Sequence, residues 1–277
     1  IEKWAKWLKT EDVEDFKTQL DRVRVGALAG TPLLLTIAAA VHWRWHELPL
    51  RRSGLYGQFV DILLEEDERR PEVCAAYGDL LDYRRPILER IALWCQEELS
   101  GGLIPERDFE AQVAHILRDE KGLRPIEVEA QVKRYVQAVR ERGGLLARRG
   151  DALDFIHPTF REYLAACALL HQHRDRIDKI IRTRWADDAW REVVLFLLCL
   201  LSDDGTNVSD LVQGILESGG RKGLYFAAAC LADQVTVDEK LSDRVVDGLI
   251  RTARSVREAY RAVTALSQLR ENERAVK

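Results

Sequence analysis

Phe155-Ile156-His157-Pro158-Thr159-Phe160-Arg161-Glu162-Tyr163-Leu164-Ala165-Ala166 reads as the end of a β-strand, one histidine and the start of an amphipathic helix. Pro158 suits the first helical position, where its missing N–H costs nothing. Phe160, Tyr163, Leu164 and Cys167 then recur at helical spacing as one apolar stripe. This places His157 at a strand–helix junction, beside free backbone N–H groups and the positive end of a helix. Such a corner suits an anion, a phosphate above all. The plain alternative is a structural histidine held by a backbone carbonyl, and spacing alone leaves both readings open.

Upstream of this stretch the pattern predicts a winged helix. Leu88, Ile91, Ala92, Cys95 and Leu99 form one helical stripe, ended by Ser100-Gly101-Gly102. Phe109, Val113, Ile116 and Leu117 form a second. Val128, Val132, Tyr135, Val136 and Val139 form a third, with Gly143-Gly144 as its C-terminal stop. Leu145–Arg149 and Ala152–Ile156 then read as two short strands around Gly150-Asp151, a β-hairpin. Three helices and a hairpin, closed by the His157 helix, make the winged-helix block, residues 72–175.

The first block, residues 1–70, reads as a helical domain. Val13, Phe16, Leu20 and Val23 mark one amphipathic helix. Gly30-Thr31-Pro32 breaks it, with Thr31 as N-cap and Pro32 in the first turn of a helix over Leu33 to Trp43. That helix is apolar nearly all round, so burial is expected. Leu48-Pro49 makes a turn, Leu55, Phe59, Ile62 and Leu63 mark the next helix, and Glu65 to Pro71 reads as a solvated linker. The third block, residues 176–277, reads as helix pairs recurring roughly every 35–45 residues, a HEAT-like α-helical repeat region. Trp185 and Trp190 are expected in its core. It stops without a polar cap, as a truncated solenoid would. The fold class expected is therefore mainly α, with one hairpin.

Composition narrows the function classes. The 277 residues suffice for two or three small domains. With 32% charged and 47% hydrophobic residues, the chain is globular rather than disordered. A net charge of −4 gives no overall basic footprint for nucleic acid. Five scattered cysteines with no CxxC pair fit a reduced, cytoplasmic setting and no structural zinc. The longest apolar run, Val193 to Leu201, is too short for a membrane span, and no signal peptide is visible. The chain has no methionine. It is either an internal piece of a longer protein or a sequence from which methionines are missing, which would shift helical phases locally.

Two motifs together resemble a known family. The stretch from Phe155 resembles the FIH-x-[ST]-F-x-E-[FY]-L-A-A signature near the end of the winged helix in NACHT-type signalling NTPases, the NLR-like branch of the STAND class. Gly30-Thr31-Pro32-Leu33-Leu34-Leu35 resembles the [GN]-x-P-L-L-L start of that family's first helical domain, and lies about 125 residues before the histidine motif. Leu48-Pro49, Arg51-Arg52 and Leu55-Tyr56-x-x-Phe59-Val60-Asp61-x-Leu63-Leu64 follow at the family's spacing. The resemblance implies that His157 touches the β-phosphate of bound ADP and that Pro32 packs on the adenine ring. A rigid apolar ring gives flat contact area with little rotamer entropy to lose. The phosphate charge would favour protonated His157.

The resemblance also implies the remaining parts. ADP or ATP, with its Mg, would be shared with a NACHT core outside this chain, since no G-x-x-x-x-G-K-[ST] loop, magnesium-binding Asp or catalytic constellation occurs here. An inducer would be sensed at the C-terminal repeats, ATP would replace ADP, and a homo-oligomer would assemble. The bacterial branch resembles anti-phage defence and stress-signalling proteins. Two other readings compete. A winged-helix DNA-binding regulator would use Lys133, Arg134, Arg140, Arg142, Arg148 and Arg149, but Glu127, Glu129 and Glu141 dilute that face. A passive helical-repeat scaffold would need no nucleotide. His171-x-His173 lacks a carboxylate cluster or cysteine for a metal and reads as the solvated end of a helix.

Overall fold

The computed structural model describes residues 10–22, 32–99, 102–121, 124–142, 144–253 and 259–269. It is mainly helical. In chain order the elements are α1 Thr10–Arg22, α2 Pro32–Trp45, α3 Arg52–Glu68, α4 Pro71–Tyr77, α5 Arg84–Glu98, β1 Ile104–Pro105, α6 Glu106–Lys121, α7 Pro125–Arg142, β2 Leu146–Arg149, β3 Ala152–Phe155, α8 Pro158–Gln172, α9 Ile177–Arg184, α10 Arg191–Asp203, α11 Ser209–Ser218, α12 Gly220–Ala232, α13 Glu239–Ala253 and α14 Ala259–Ser267. Short 3-10 turns cover Gly78–Tyr83 and Arg174–Arg176. The expected N-cap Thr31, and Gly30, Val23, Ser100, Gly101, Gly143, Arg254 and Val256, lie outside the described residues. The chain forms two compact units, one of residues 1–59 with 175–277 and one of residues 60–174.

The unit 60–174 carries the winged helix. α5 packs on α8, and α6 and α7 follow α5 as a helix-turn-helix. Its core holds Phe109, Tyr135 and Tyr77, with the Tyr77 and Tyr135 rings meeting edge to face at 5.4 Å. Hairpin β2–β3 pairs Arg149 with Ala152 across a two-residue turn. Gly150 opens that turn at φ +64, the conformation that the first position of a type II′ turn demands. A third strand is present that the sequence reading lacks. β1 pairs antiparallel with β3, Ile104 opposite Leu153 and Pro105 opposite Ala152, giving the order β1-β3-β2. Two residues are too few for a visible alternation, and proline is tolerated there because β1 is an edge.

Two expectations are corrected. The charged stretch 65–71 is not a linker: α3 runs through to Glu68, Pro71 starts α4, and only Arg69 and Arg70 connect them. Charged residues with helical spacing make ion pairs along the helix instead, as Arg69 does with Glu66 at 3.0 Å. Nor is α2 buried all round. Leu34, Ile37, Ala38, Val41 and His42 are buried, whereas Trp43 is 62% exposed.

The other unit joins α1 and α2 to the array α9–α14. In the array, α11 packs on α12 and α13 on α14. Trp190 is buried, and Trp185 meets the Phe226 ring edge to face at 5.7 Å. α11 and α12 approach so closely that a Cβ at Gly223 would lie 2.2 Å from the Ile215 carbonyl oxygen. Gly223→Ala is therefore expected to cost about 1–3 kcal/mol through overpacking against backbone. A lowered denaturant midpoint at unchanged m-value would register it, and an unchanged midpoint would contradict the close approach.

Candidate functional site

His157 occupies a corner pinned from both sides. Phe155, the last residue of β3, and Phe160, in the first turn of α8, are both buried. The Ile156 N–H donates to the Leu145 carbonyl at 3.0 Å, extending the hairpin ladder by one residue. His157 itself is exposed, with extended backbone (φ −154, ψ 143), and is the N-cap of α8. Caps are ordinarily Ser, Thr, Asp or Asn oxygens. Here the imidazole takes that role: the Thr159 N–H donates to Nδ1 at 3.2 Å, and Thr159 Oγ1 lies 2.9 Å from the same nitrogen.

This geometry corrects the expectation of free backbone donors. Pro158 has no N–H, the Thr159 N–H is taken by the ring, and the Phe160 N–H donates to the His157 carbonyl at 3.1 Å. The first turn of α8 therefore offers an incoming anion no idle amide from these three residues. The donor it presents is the histidine. A backbone N–H can only donate, so Nδ1 is the acceptor and the ring's N–H falls on Nε2. Nε2 has no partner among the described residues and stands at the positive end of a 15-residue helix. A hydrogen bond from it to an anion does not require a second proton on the ring.

Pro32 is the first residue of α2 and is exposed. The Thr36 hydroxyl donates back to the Pro32 carbonyl at 2.8 Å, which holds this first turn in place. Below the exposed ring, Leu34 and Ile37 anchor the helix. Pro32 belongs to the unit 1–59 with 175–277, and His157 to the unit 60–174.

A second constellation lies at the start of α3. Arg52 is largely covered, its side chain 10% exposed, with its Nη1 donating to Glu192 Oε2 at 2.8 Å and its Nη2 2.9 Å from Asp233 Oδ2. The Asp233 contact is a close ion pair in which the hydrogen is misaligned, and Arg52 Nε has no acceptor. The guanidinium carbon sits 4.4 Å from the Phe196 ring centre, a cation–π contact. Arg51 forms an ion pair with Asp203 and donates to the Gln234 carbonyl at 2.9 Å and to Thr236 Oγ1 at 2.8 Å. The Ser53 hydroxyl donates to Asp203 Oδ2 at 2.8 Å. Burial pushes the Asp233 carboxyl up from its ordinary value, and the Arg52 charge opposes that. In the sequence, Arg51-Arg52 stands out only as part of a family pattern. Its partners lie far along the chain and leave no local signal.

The other flagged residues are accounted for by neighbours. Lys133 pairs with Glu129 at 2.7 Å, Arg140 pairs with Glu106, and Arg134 donates to the Ala75 carbonyl at 3.3 Å. On the wing, Arg148 donates to the Gly150 carbonyl at 2.9 Å, and Arg149 is exposed. The side chain of Arg142 lies outside the described residues. Among the described residues no group of three or more His, Cys, Asp or Glu could hold a metal, and no helix is long and apolar enough to cross a membrane.

His171 is more than a solvated helix end. Its Nδ1 lies 3.0 Å from Oε2 of Glu89, which is buried, while Arg85 donates to Glu89 Oε1 at 3.1 Å and also pairs with Asp61. The Glu89 hydrogen bond raises the His171 pKa above its ordinary 6.5; partial burial and the charges of Arg85 and Arg174 oppose the rise. Because the folded-state value is the higher one, this contribution to stability is complete below about pH 6.5 and is lost as pH rises through the folded-state value. With His171 half exposed, less than about 1 kcal/mol is expected. His171→Gln should therefore lower the unfolding midpoint more at about pH 5.5 than at about pH 8.5. An equal cost at both pH values would contradict the pairing.

Comparison with known proteins locates one segment. Residues 52–169 match the sequence model of a family described as "Winged helix-turn-helix domain C-terminal to NACHT". No curated protein matches the chain.

Proposed function

We propose that this chain, whose residues 52–169 match a winged helix-turn-helix family described as C-terminal to NACHT, is the regulatory portion of a nucleotide-gated signalling ATPase. It holds ADP in a closed state and releases it when a signal reaches the helical array, so that ATP enters and the protein oligomerises. The observation that carries this reading is His157. The ring is held by its own cap, beside buried Phe155 and Phe160, and its Nε2–H has no partner among the described residues.

The residues fit a nucleoside diphosphate chemically. His157 Nε2 donates to a phosphate oxygen, and the end of α8 adds a favourable field for the negative charge. Pro32 offers an exposed, rigid apolar ring to a base. ADP, when bound, supplies the bridging charge that makes closure depend on the nucleotide, and a NACHT core outside this chain supplies the phosphate loop and Mg. His157 would act by position, offering its Nε2–H to a phosphate oxygen while the cap holds the ring. The paired cations on α7 support a protein-facing role for this winged helix over a duplex-binding one. Within the same reading, the bacterial relatives that the sequence resembles suggest a role in anti-phage defence, in the cytoplasm.

Equilibrium titration of the nucleotide-stripped full-length protein with ADP tests the proposal. His157→Ala and Pro32→Gly are each expected to weaken ADP binding. Undiminished affinity in both contradicts the reading and favours the passive scaffold.

A further inference from the structure

Arg51, Arg52 and Ser53 are consecutive, and all three grip the array, Arg51 and Ser53 sharing Asp203 and Arg52 meeting Glu192 and Asp233. Their acceptors share one feature. Asp203 is the last residue of α10, and Asp233 directly follows the last residue of α12. Carboxylates at helix C-termini add negative charge where the helix dipole is already negative. Glu192, in the first turn of α10, is a further carboxylate on the face where Glu192, Phe196, Cys199 and Asp203 recur at helical spacing. Arg191 answers Glu192 from within the array at 2.6 Å. Asp203 and Asp233 are answered by Arg51 and Arg52.

The cluster is poorly built for plain stability. Arg52 leaves its Nε without an acceptor and meets Asp233 with a misaligned hydrogen. Arg51 grips the carbonyl of Gln234, a non-glycine residue at φ +60. Such backbone persists only when its surroundings hold it there. Buried ion pairs of this kind contribute little over well-packed apolar residues, and their best-attested use is to select one arrangement over another.

We propose that Arg51, Arg52 and Ser53 form a charge latch through which the array holds the segment carrying Pro32, and that release of this latch is the step by which a signal at the array reaches the nucleotide. The proposal rests on the ADP reading above. Closed, the arginines neutralise two helix ends. Released, Asp203 and Asp233 stand at two helix ends without their cations, which disfavours partial opening and makes the change close to two-state. Asp203 is the exposed rim of the latch and Arg52 its buried centre.

Cys199 reports on the latch without reference to nucleotide. It is buried on the same face of α10, its sulfur 3.8 Å from the Asp233 carbonyl oxygen. The test uses the full-length protein carrying its co-purified nucleotide, as wild type, Asp203→Asn, Arg51→Ala, Arg51→Lys and His157→Ala. Site-resolved alkylation of Cys199, nucleotide content and native mass are measured together. Losing one charge-assisted bond should raise Cys199 alkylation roughly tenfold in Asp203→Asn and Arg51→Ala. Both variants should also lose ADP and assemble, with Arg51→Lys restoring part of each. Unchanged alkylation overturns the latch. So does faster alkylation with ADP and mass unchanged, provided His157→Ala does assemble. If His157→Ala also leaves ADP and mass unchanged, the nucleotide reading itself fails and the latch falls with it.

Discussion

Arg52→Ala is expected to cost the unit of residues 1–59 and 175–277 about 3–5 kcal/mol, a large share of what holds any domain together. Removing this one side chain takes the ion-pair partner from Asp233, which burial already pushes towards protonation, and leaves Glu192 with Arg191 alone. It also empties the space over the Phe196 ring. A charge-removing control separates the two causes. In Arg52→Met combined with Glu192→Gln and Asp233→Asn, the volume is kept and the unpaired charges are gone. Much of the loss should then be recovered, because replacing a whole buried ionic group is far cheaper than removing one partner. Denaturant unfolding of wild type, Arg52→Ala and the triple variant measures both effects. A loss below about 1 kcal/mol for Arg52→Ala would mean that the cluster is as loosely held as a surface pair.

His157→Ala in the full-length protein is expected to weaken ADP by about 10- to 150-fold, the equivalent of one hydrogen bond to a charged group at about 1.5–3 kcal/mol. The same change removes the cap of α8, which in itself costs about 0.5–2 kcal/mol of stability. His157→Asn distinguishes the two. Asparagine restores a capping oxygen for the Thr159 N–H and cannot extend a donor as far as imidazole Nε2. Stability should return while ADP affinity stays low. Recovery of both by asparagine would reduce His157 to a cap.

The parts of this fold that were legible in the sequence are those with long, local periodicity. The three stripes over residues 88–99, 109–117 and 128–139, and the hairpin around Gly150, each carry their signal within one element. β1 does not, because two residues show no alternation and their pairing with Leu153 and Ala152 is set by tertiary packing. The charged stretch 65–71 was misread because a run of Glu, Asp and Arg is compatible with both a linker and an ion-paired helix end. α2 was misread because its composition, apolar all round, says nothing about how many faces find a neighbour, and Trp43 finds none that covers it.

The site divides in the same way. His157 and its helix are written in consecutive residues. Its use of Nδ1 as a cap is not, since imidazole is outside the usual capping set and the bond depends on a ring rotamer. Arg51 and Arg52 bind groups 140 to 185 positions away, so no spacing rule points from one to the other. Glu89 and His171 are 82 positions apart, and only the packing of α5 on α8 brings them together.

Nucleotide content and native mass of the purified full-length protein, wild type against His157→Ala, test the central claim most directly. Closure by a nucleotide clamp predicts a wild-type monomer carrying ADP and a variant that has lost ADP and assembled. Wild type and variant of identical mass, neither carrying nucleotide, would contradict it.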